Sequence, residues 1–121
     1  MSLGSRLQTL EELELQPIPK ASLHNIPITA DSNILGRDVV PTRSPGMFRI
    51  YACFDTAGAL KIRRTKDGIT HSENLNGGST LSAQASYLFD ILVEHNEEIN
   101  LWYSVAATAK IILMVEIGGI A

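Results

Sequence analysis

The sequence has a single cysteine and little net charge, and both features limit what the chain can be. Because Cys53 has no partner in the chain, no intrachain disulfide can form and the fold is not a disulfide framework. The formal net charge of −3 over 121 residues lacks the basic excess of nucleic-acid-binding proteins and of proteins that bind anionic membranes. We expect neither a nucleic acid nor a membrane as partner.

Long apolar runs are also missing. The longest run, residues 111–115, is far shorter than the roughly 20 residues of a membrane-spanning helix. Residues 1–15 contain no apolar segment of the signal-peptide type. We therefore expect a chain that is made and kept in a cytoplasm, or assembled into a particle there.

Proline is absent after residue 45, and this divides the chain in two. Because proline has no N–H group and a fixed φ, it interrupts helices and central strands. We therefore predict that residues 1–45 form an extended N-terminal arm with little regular structure. The prolines that interrupt it are Pro17, Pro19, Pro27, Pro41 and Pro45.

The arm contains more aliphatic residues than a disordered linker would. They predict a partner-binding arm that is ordered by lying on a neighbouring subunit. The alternative is a strand or two folded onto the arm's own domain, for which residues 34–40 are the best candidate. The residues that would contact the partner are Leu23, Ile26, Ile28, Ile34 and Leu35.

Residues 46–121 alternate apolar and polar side chains with the period of two that is typical of strands. Asp67-Gly68 predicts a tight hairpin, because this pair adopts the positive φ angles of a primed turn. Turn signals recur at the spacing of a β-sandwich. We predict an all-β fold: a small antiparallel, jelly-roll-like β-sandwich of six to eight strands, preceded by the arm. The predicted strands are 47–54, 60–65, 69–75, 87–94, 99–105 and 109–117.

The last three predicted strands are apolar on both faces. Residues 111, 113, 115 and 117 are assigned to the core, together with the apolar sets of the two preceding strands. Their opposite faces should be polar in a monomer, yet they carry large apolar side chains that monomers rarely leave exposed. These side chains predict a subunit interface. They are Leu88, Leu92, Trp102, Ile112 and Met114.

No residue pattern points to catalysis, a metal or a cofactor. His24, His71 and His95 lack the spacing of metal ligands, and Cys53 has no nearby base in the sequence pattern. We expect that the chain is not an enzyme. One basic cluster is either a solvated sheet edge, which would discourage strand pairing, or a candidate partner contact. It consists of Lys61, Arg63, Arg64 and Lys66.

Three segments, GSTLSAQASYLFDILVE at 78–94, EINLWYS at 98–104 and the closing strand at 110–117, carry a family resemblance. Residues 46–121 resemble small β-sandwich proteins of tailed-phage virions, and capsid decoration (cement) proteins are the nearest group. The resemblance implies a virion protein, assembled in the host cytoplasm, that decorates and stabilises the capsid surface. It implies a homotrimer bound to the major capsid protein, with an arm that reaches over neighbouring coat subunits.

Two alternatives stay open at this point. The particle role would be at the tail rather than the capsid if the chain is a tail-fibre or receptor-type carbohydrate-binding β-sandwich module. Trp102 or Tyr51 would then be an exposed platform on which a sugar ring stacks. A small jelly-roll enzyme is the third class of function.

Overall fold

The computed structural model describes residues 17–42 and 45–119, which form strands and one short 3₁₀ turn. Residues 1–16, 43–44 and 120–121 lie outside the described part, so the predicted arm is described only at residues 17–42 and 45. No helix among the described residues has the length and apolar character to cross a bilayer. The elements are β1 (Ile18–Ile28), β2 (Gly46–Phe54), β3 (Leu60–Lys66), β4 (Ile69–Asn74), a 3₁₀ turn (Asn76–Gly78), β5 (Tyr87–Val93), β6 (Glu97–Tyr103) and β7 (Ala107–Gly119).

The strands form two antiparallel sheets that enclose one core, which confirms the predicted all-β sandwich. The four-stranded sheet has the order β1-β7-β2-β5, and the three-stranded sheet has the order β4-β3-β6. Phe54 of β2 and Tyr103 of β6 stack across the core with ring centroids 3.7 Å apart. Both side chains are almost completely buried. The two sheets are therefore held together by direct contact of their inner faces.

The predicted hairpin at Asp67-Gly68 is confirmed. Both residues have positive φ, 53° and 77°, and they connect β3 to β4. Positive φ at both central positions is the backbone of a type I′ turn, whose twist matches that of the strands it joins.

The prediction that residues up to 45 have little regular structure is wrong for residues 18–28. These residues form β1, which pairs with β7 and is the first strand of the four-stranded sheet. Proline is excluded from central strands but tolerated on an edge, where no neighbour needs its N–H group. The sandwich therefore begins at β1, and the predicted domain boundary between residues 45 and 46 falls inside it.

The segment after β1 also folds onto its own domain. The N–H groups of Asp31 and Ile34 donate to the carbonyl oxygens of Tyr103 and Leu101, each at 2.9 Å. Val39 and Ile99 exchange backbone hydrogen bonds of 2.8 and 2.9 Å. Residues 31–39 therefore cover the outer edge of β6, as the alternative for residues 34–40 proposed.

Glu116 is a charged residue in the core and ties β1 and the following connection to β7. Its carboxylate is fully buried. It accepts a hydrogen bond of 2.8 Å from the N–H of Thr42 and lies 3.4 Å from the Lys20 ammonium group. Because a buried carboxylate is costly unless it is paired, these contacts favour the observed position of residues 17–42 against β7.

Candidate assembly surface

The side of the four-stranded sheet that faces away from the core is unusually apolar. Strand register sets one row across it, in which Tyr51 of β2 lies between Leu88 of β5 and Leu113 of β7. Met47 lies beside Leu92 in a second row. We call this surface the outer face. Its apolar side chains are Met47, Tyr51, Leu88, Leu92, Ile111, Leu113 and Val115.

Four side chains of the outer face remain substantially exposed. Leu88 is 49% exposed, Leu92 42%, Ile111 41% and Tyr51 37%. Their neighbours along the same strands, such as Ile50 and Ile112, are completely buried. Alternation in β2, β5 and β7 therefore presents apolar side chains to both sides of the sheet, and only the inner set has a partner within the described residues.

An ion pair lies in the middle of the outer face. The Arg49 guanidinium group donates two hydrogen bonds to the Asp90 carboxylate, at 2.8 and 3.0 Å. These bonds hold the pKa of Asp90 below its ordinary value and raise the pKa of Arg49. Because both side chains are more than a third exposed, solvent screens the pair and it adds little to stability. Its main effect is that the outer face carries no net charge at this point.

A shallow groove of about 220 Å³ lies at one end of the outer face, between β2, the start of β5 and β7. Its lining is mostly apolar. A surface of this kind suits an apolar side chain of a protein partner better than a sugar, whose hydroxyl groups need several polar partners. The lining residues are Tyr51, Ala52, Ser86, Tyr87, Ile111 and Leu113.

Leu88 and Leu92 are exposed as predicted, but the assignment of Ile112 and Met114 to an outer interface is wrong. Both are completely buried in the core, and Ile111 and Leu113 face outward instead. The prediction was wrong because Lys110 and Glu116, at even positions like Ile112 and Met114, made that side of β7 look solvent-facing. Glu116 is in fact the buried carboxylate described above, and a register irregularity near Lys110 changes the parity of the strand.

Trp102 belongs to a different surface. It lies in β6 of the three-stranded sheet and is only partly exposed. The Arg63 guanidinium carbon lies 3.8 Å from the centre of its ring, and its indole N–H donates to Asn100 Oδ1 at 2.6 Å. One ring face is therefore covered by a cation, which argues against a sugar-stacking platform at Trp102.

The predicted arm contacts are mostly contacts within the domain. Ile28 and Ile34 are buried in the core, so the prediction that they bind a neighbouring subunit is wrong. Leu23 and Leu35 are partly buried and pack against the same core. Ile26, 41% exposed, is the predicted arm residue that the fold leaves most accessible. The reason is that β1 and residues 31–39 complete the sandwich.

The basic cluster does not form a sheet edge, because β3 is the central strand of the three-stranded sheet. Arg63 lies over Trp102, Arg64 donates to Glu97 at 2.8 Å and Lys66 to Glu94 at 2.5 Å. Lys61 lies on the same strand and is partly exposed. Arg63, Arg64 and Lys66 are thus engaged within their own domain, and the prediction of a solvated edge is wrong.

A cleft of about 490 Å³ is lined mainly by ionisable residues of the β3–β4 hairpin, the end of β5 and the start of β6. Arg64 is its central side chain: it contacts Glu97 and Glu73, and it also donates to the Leu92 carbonyl at 2.7 Å. Within residues 17–42 and 45–119, no group of three or more His, Cys, Asp or Glu side chains is placed to hold a metal ion. The cleft is lined by Arg64, Lys66, Asp67, Ile69, His71, Glu73, Leu92, Glu94 and Glu97.

Comparison with known proteins identifies no family for this chain. No protein-family model matches it, and no curated protein matches it with significant similarity.

Proposed function

We propose that this chain is a virion structural protein that self-associates through the outer face and thereby decorates and stabilises a phage capsid. The observation that carries the proposal is the set of four exposed apolar side chains, Tyr51, Leu88, Leu92 and Ile111, on one face of the four-stranded sheet. Monomers rarely expose large contiguous apolar patches, and patches of that kind mark interaction surfaces.

The magnitude of the effect favours association that is weak in solution and strong on a particle. Complete burial of a large aliphatic side chain is worth roughly 1.5–3 kcal/mol, so the exposed part of each of these four is worth roughly 1 kcal/mol. Association costs at least about 4 kcal/mol in lost translational and rotational freedom. An interface between two copies buries these side chains on both, which is worth roughly 8 kcal/mol and exceeds the cost by about 4 kcal/mol, a millimolar affinity. A chain that also contacts a coat lattice associates at a high effective concentration.

The capsid role is supported by the resemblance of residues 46–121 to decoration proteins of tailed phages. Such a role gives the chain two partners: further copies of itself, as a homotrimer, and the major capsid protein. The described part of the arm completes the sandwich. We therefore do not include Ile28 and Ile34 among the residues that would contact the major capsid protein.

Self-association is tested by sedimentation velocity at protein concentrations up to about 1 mM, which corresponds to a binding free energy of about −4 kcal/mol. We expect the mass to rise from 13.2 kDa towards three times that value. Leu88→Lys should remove the trimeric species, because it places a charge in the outer face. Val40→Lys is the matched control, since Val40 is 52% exposed and lies outside that face.

A parent chain that stays monomeric, or an equal loss in both variants, would contradict the outer-face interface. The capsid role is tested separately by co-expression with the major coat protein of the same genome. We expect the parent chain to sediment with the assembled particles and Leu88→Lys to do so with lower occupancy. Particles that carry none of the parent chain would exclude the decoration role.

A further inference from the structure

The two sheets have four terminal edges, and three of them have features that hinder further strand pairing. β1 carries Pro19 and Pro27, and residues 31–39 cover β6. On β5 the carbonyl oxygen of Leu92 accepts a hydrogen bond from Arg64. Such features are the usual means by which proteins prevent edge-to-edge association.

β4 is the remaining edge, and within residues 17–42 and 45–119 no strand pairs with its outer side. All six of its residues are exposed, and Ile69 is 72% exposed. Its sequence, ITHSEN, contains no proline, lysine or arginine and one carboxylate, Glu73, and its pairing with β3 has no bulge. An exposed strand without these features presents unpaired N–H and C=O groups to another chain.

The hairpin fixes which backbone groups of β4 are free. In a two-residue hairpin the closing pair, here Lys66 and Ile69, exchanges both hydrogen bonds. The pattern then alternates, so the N–H and C=O groups of His71 and Glu73 point towards β3. Those of Thr70, Ser72 and Asn74 point away from the sheet.

We propose that two copies of this chain pair through β4 around a two-fold axis, with Ser72 opposite the partner's Ser72. This antiparallel register makes three hydrogen-bonded pairs from the outward-pointing residues, and so about six main-chain bonds. The two three-stranded sheets become one six-stranded sheet.

Hydrogen-bond complementarity between the His71 ring and the Glu73 carboxylate favours this register and a second copy as the occupant. With Ser72 at the centre, each His71 lies opposite the partner's Glu73, and the contact occurs twice by symmetry. Within one chain the two side chains already contact each other, with His71 Nε2 3.2 Å from Glu73 Oε1, so they share one side of the strand. A register centred on Glu73 would place two carboxylates directly opposite each other, which is destabilising.

This contact goes beyond the proposed function, because it uses a different sheet and does not compete with the outer face. An outer-face oligomer and a β4 pair can form on the same chain. Copies that are joined through the outer face would thereby be linked to neighbouring oligomers, whatever particle they cover.

A cysteine placed at the two-fold axis tests the register directly. Hydrogen-bonded partners have Cα atoms about 5.5 Å apart, which lies within the range that a disulfide spans. Under mild oxidation Ser72→Cys should give a disulfide-linked dimer on a non-reducing gel. Thr70→Cys is the matched control: it lies on the same face, but the two Cys sites would be about 14 Å apart, because the register offsets them by four residues.

Equal cross-linking of both variants, or none in Ser72→Cys, would overturn the proposal. The second result would also follow if β4 accepts a strand from a different protein, since a pure sample contains none. Cys53 is buried, and the unsubstituted chain gives its background. Both cysteine variants are also made in the Leu88→Lys background. Disulfide-linked dimers that persist in this background are made by β4 alone. Failure of the outer-face interface and failure of the β4 interface therefore give different results.

Charge and backbone variants test the energetic basis. In the chain without an added cysteine, His71→Glu should weaken dimerisation about tenfold, because it places a new carboxylate opposite the partner's Glu73, twice across the axis. The exchange of both residues, His71→Glu with Glu73→His, should restore it. Ser72→Pro removes an outward N–H from each copy without touching β3 and should also weaken pairing, whereas Ser72→Thr should not. Failure of the exchange to restore affinity would refute the register.

Discussion

Tyr103 gives a stability prediction that depends on pH. Its side chain is completely buried, its ring stacks on Phe54, and its hydroxyl donates to the carbonyl oxygen of Thr56 at 2.7 Å. Burial raises the pKa of Tyr103 to about 12, from an ordinary value of 10.0. The buried phenol is therefore held in its neutral form.

The sign and size of the effect follow from proton linkage. Because the folded pKa lies above the unfolded pKa, the contribution is complete below pH 10 and is lost as the pH rises towards 12. Two pKa units correspond to about 3 kcal/mol in total, of which about 1.4 kcal/mol is lost by pH 11.

Tyr103→Phe separates this contribution from the other groups that titrate in alkali. The substitution leaves the Thr56 carbonyl without its donor and should cost about 1 kcal/mol near pH 8. Phenylalanine does not ionise, so the parent chain loses its advantage as the pH rises, and the two proteins should be about equally stable by pH 11.

The assay is urea unfolding of both chains at a series of pH values from 8 to about 11, the interval over which the linkage acts. Other alkaline groups, including Lys66 with its raised pKa, are present in both chains and cancel in the difference. A difference in unfolding free energy that does not change with pH would refute the reasoning. A tyrosinate absorbance titration of the folded protein gives an independent check.

Two further predictions concern stability. Arg64→Met leaves the carboxylate of Glu97, which is 5% exposed, without its main partner and should lower the free energy of unfolding by about 3–5 kcal/mol. Adding Glu97→Gln to this variant should recover much of the loss. A loss below about 1 kcal/mol in urea unfolding would contradict the pairing. Deletion of residues 1–45 removes β1 and buried aliphatic side chains whose contribution to stability is comparable with the roughly 5–15 kcal/mol of a typical domain, so we expect loss of cooperative thermal unfolding. Deletion of residues 1–16 leaves every described contact in place and should preserve cooperative unfolding.

The sequence supported the strands after residue 46 well, because their signals are local. Asp67-Gly68 determines a hairpin through its own backbone preferences, and period-two alternation determines strands wherever one face is distinctly polar. β7 is the exception, since Ile111, Ile112, Leu113 and Met114 offer no polar side. Only packing against β2 and the other sheet decides which of them is buried.

The role of the prolines could not be read from the sequence either. Proline excludes a central strand, but whether a segment is central or at an edge depends on which strands lie beside it, and that is a property of the whole sheet. The prolines of β1 are tolerated because β7 pairs with one side of this strand and nothing in the described structure pairs with the other. For the same reason, the basic strand β3 looked like a protected edge and lies in the centre of its sheet.

Local patterns in the sequence are enough to predict an antiparallel all-β chain, its hairpin turn, and an excess of apolar side chains over what one core can bury. The tertiary structure decided where that excess lies: Leu88 and Leu92 are exposed, Ile112 and Met114 are buried, and Tyr51 and Ile111 join the outer face. It also decided that β4 is the open edge. Alternation along a strand gives two faces but does not say which one faces inward, and that choice is made by contacts between residues far apart in the chain.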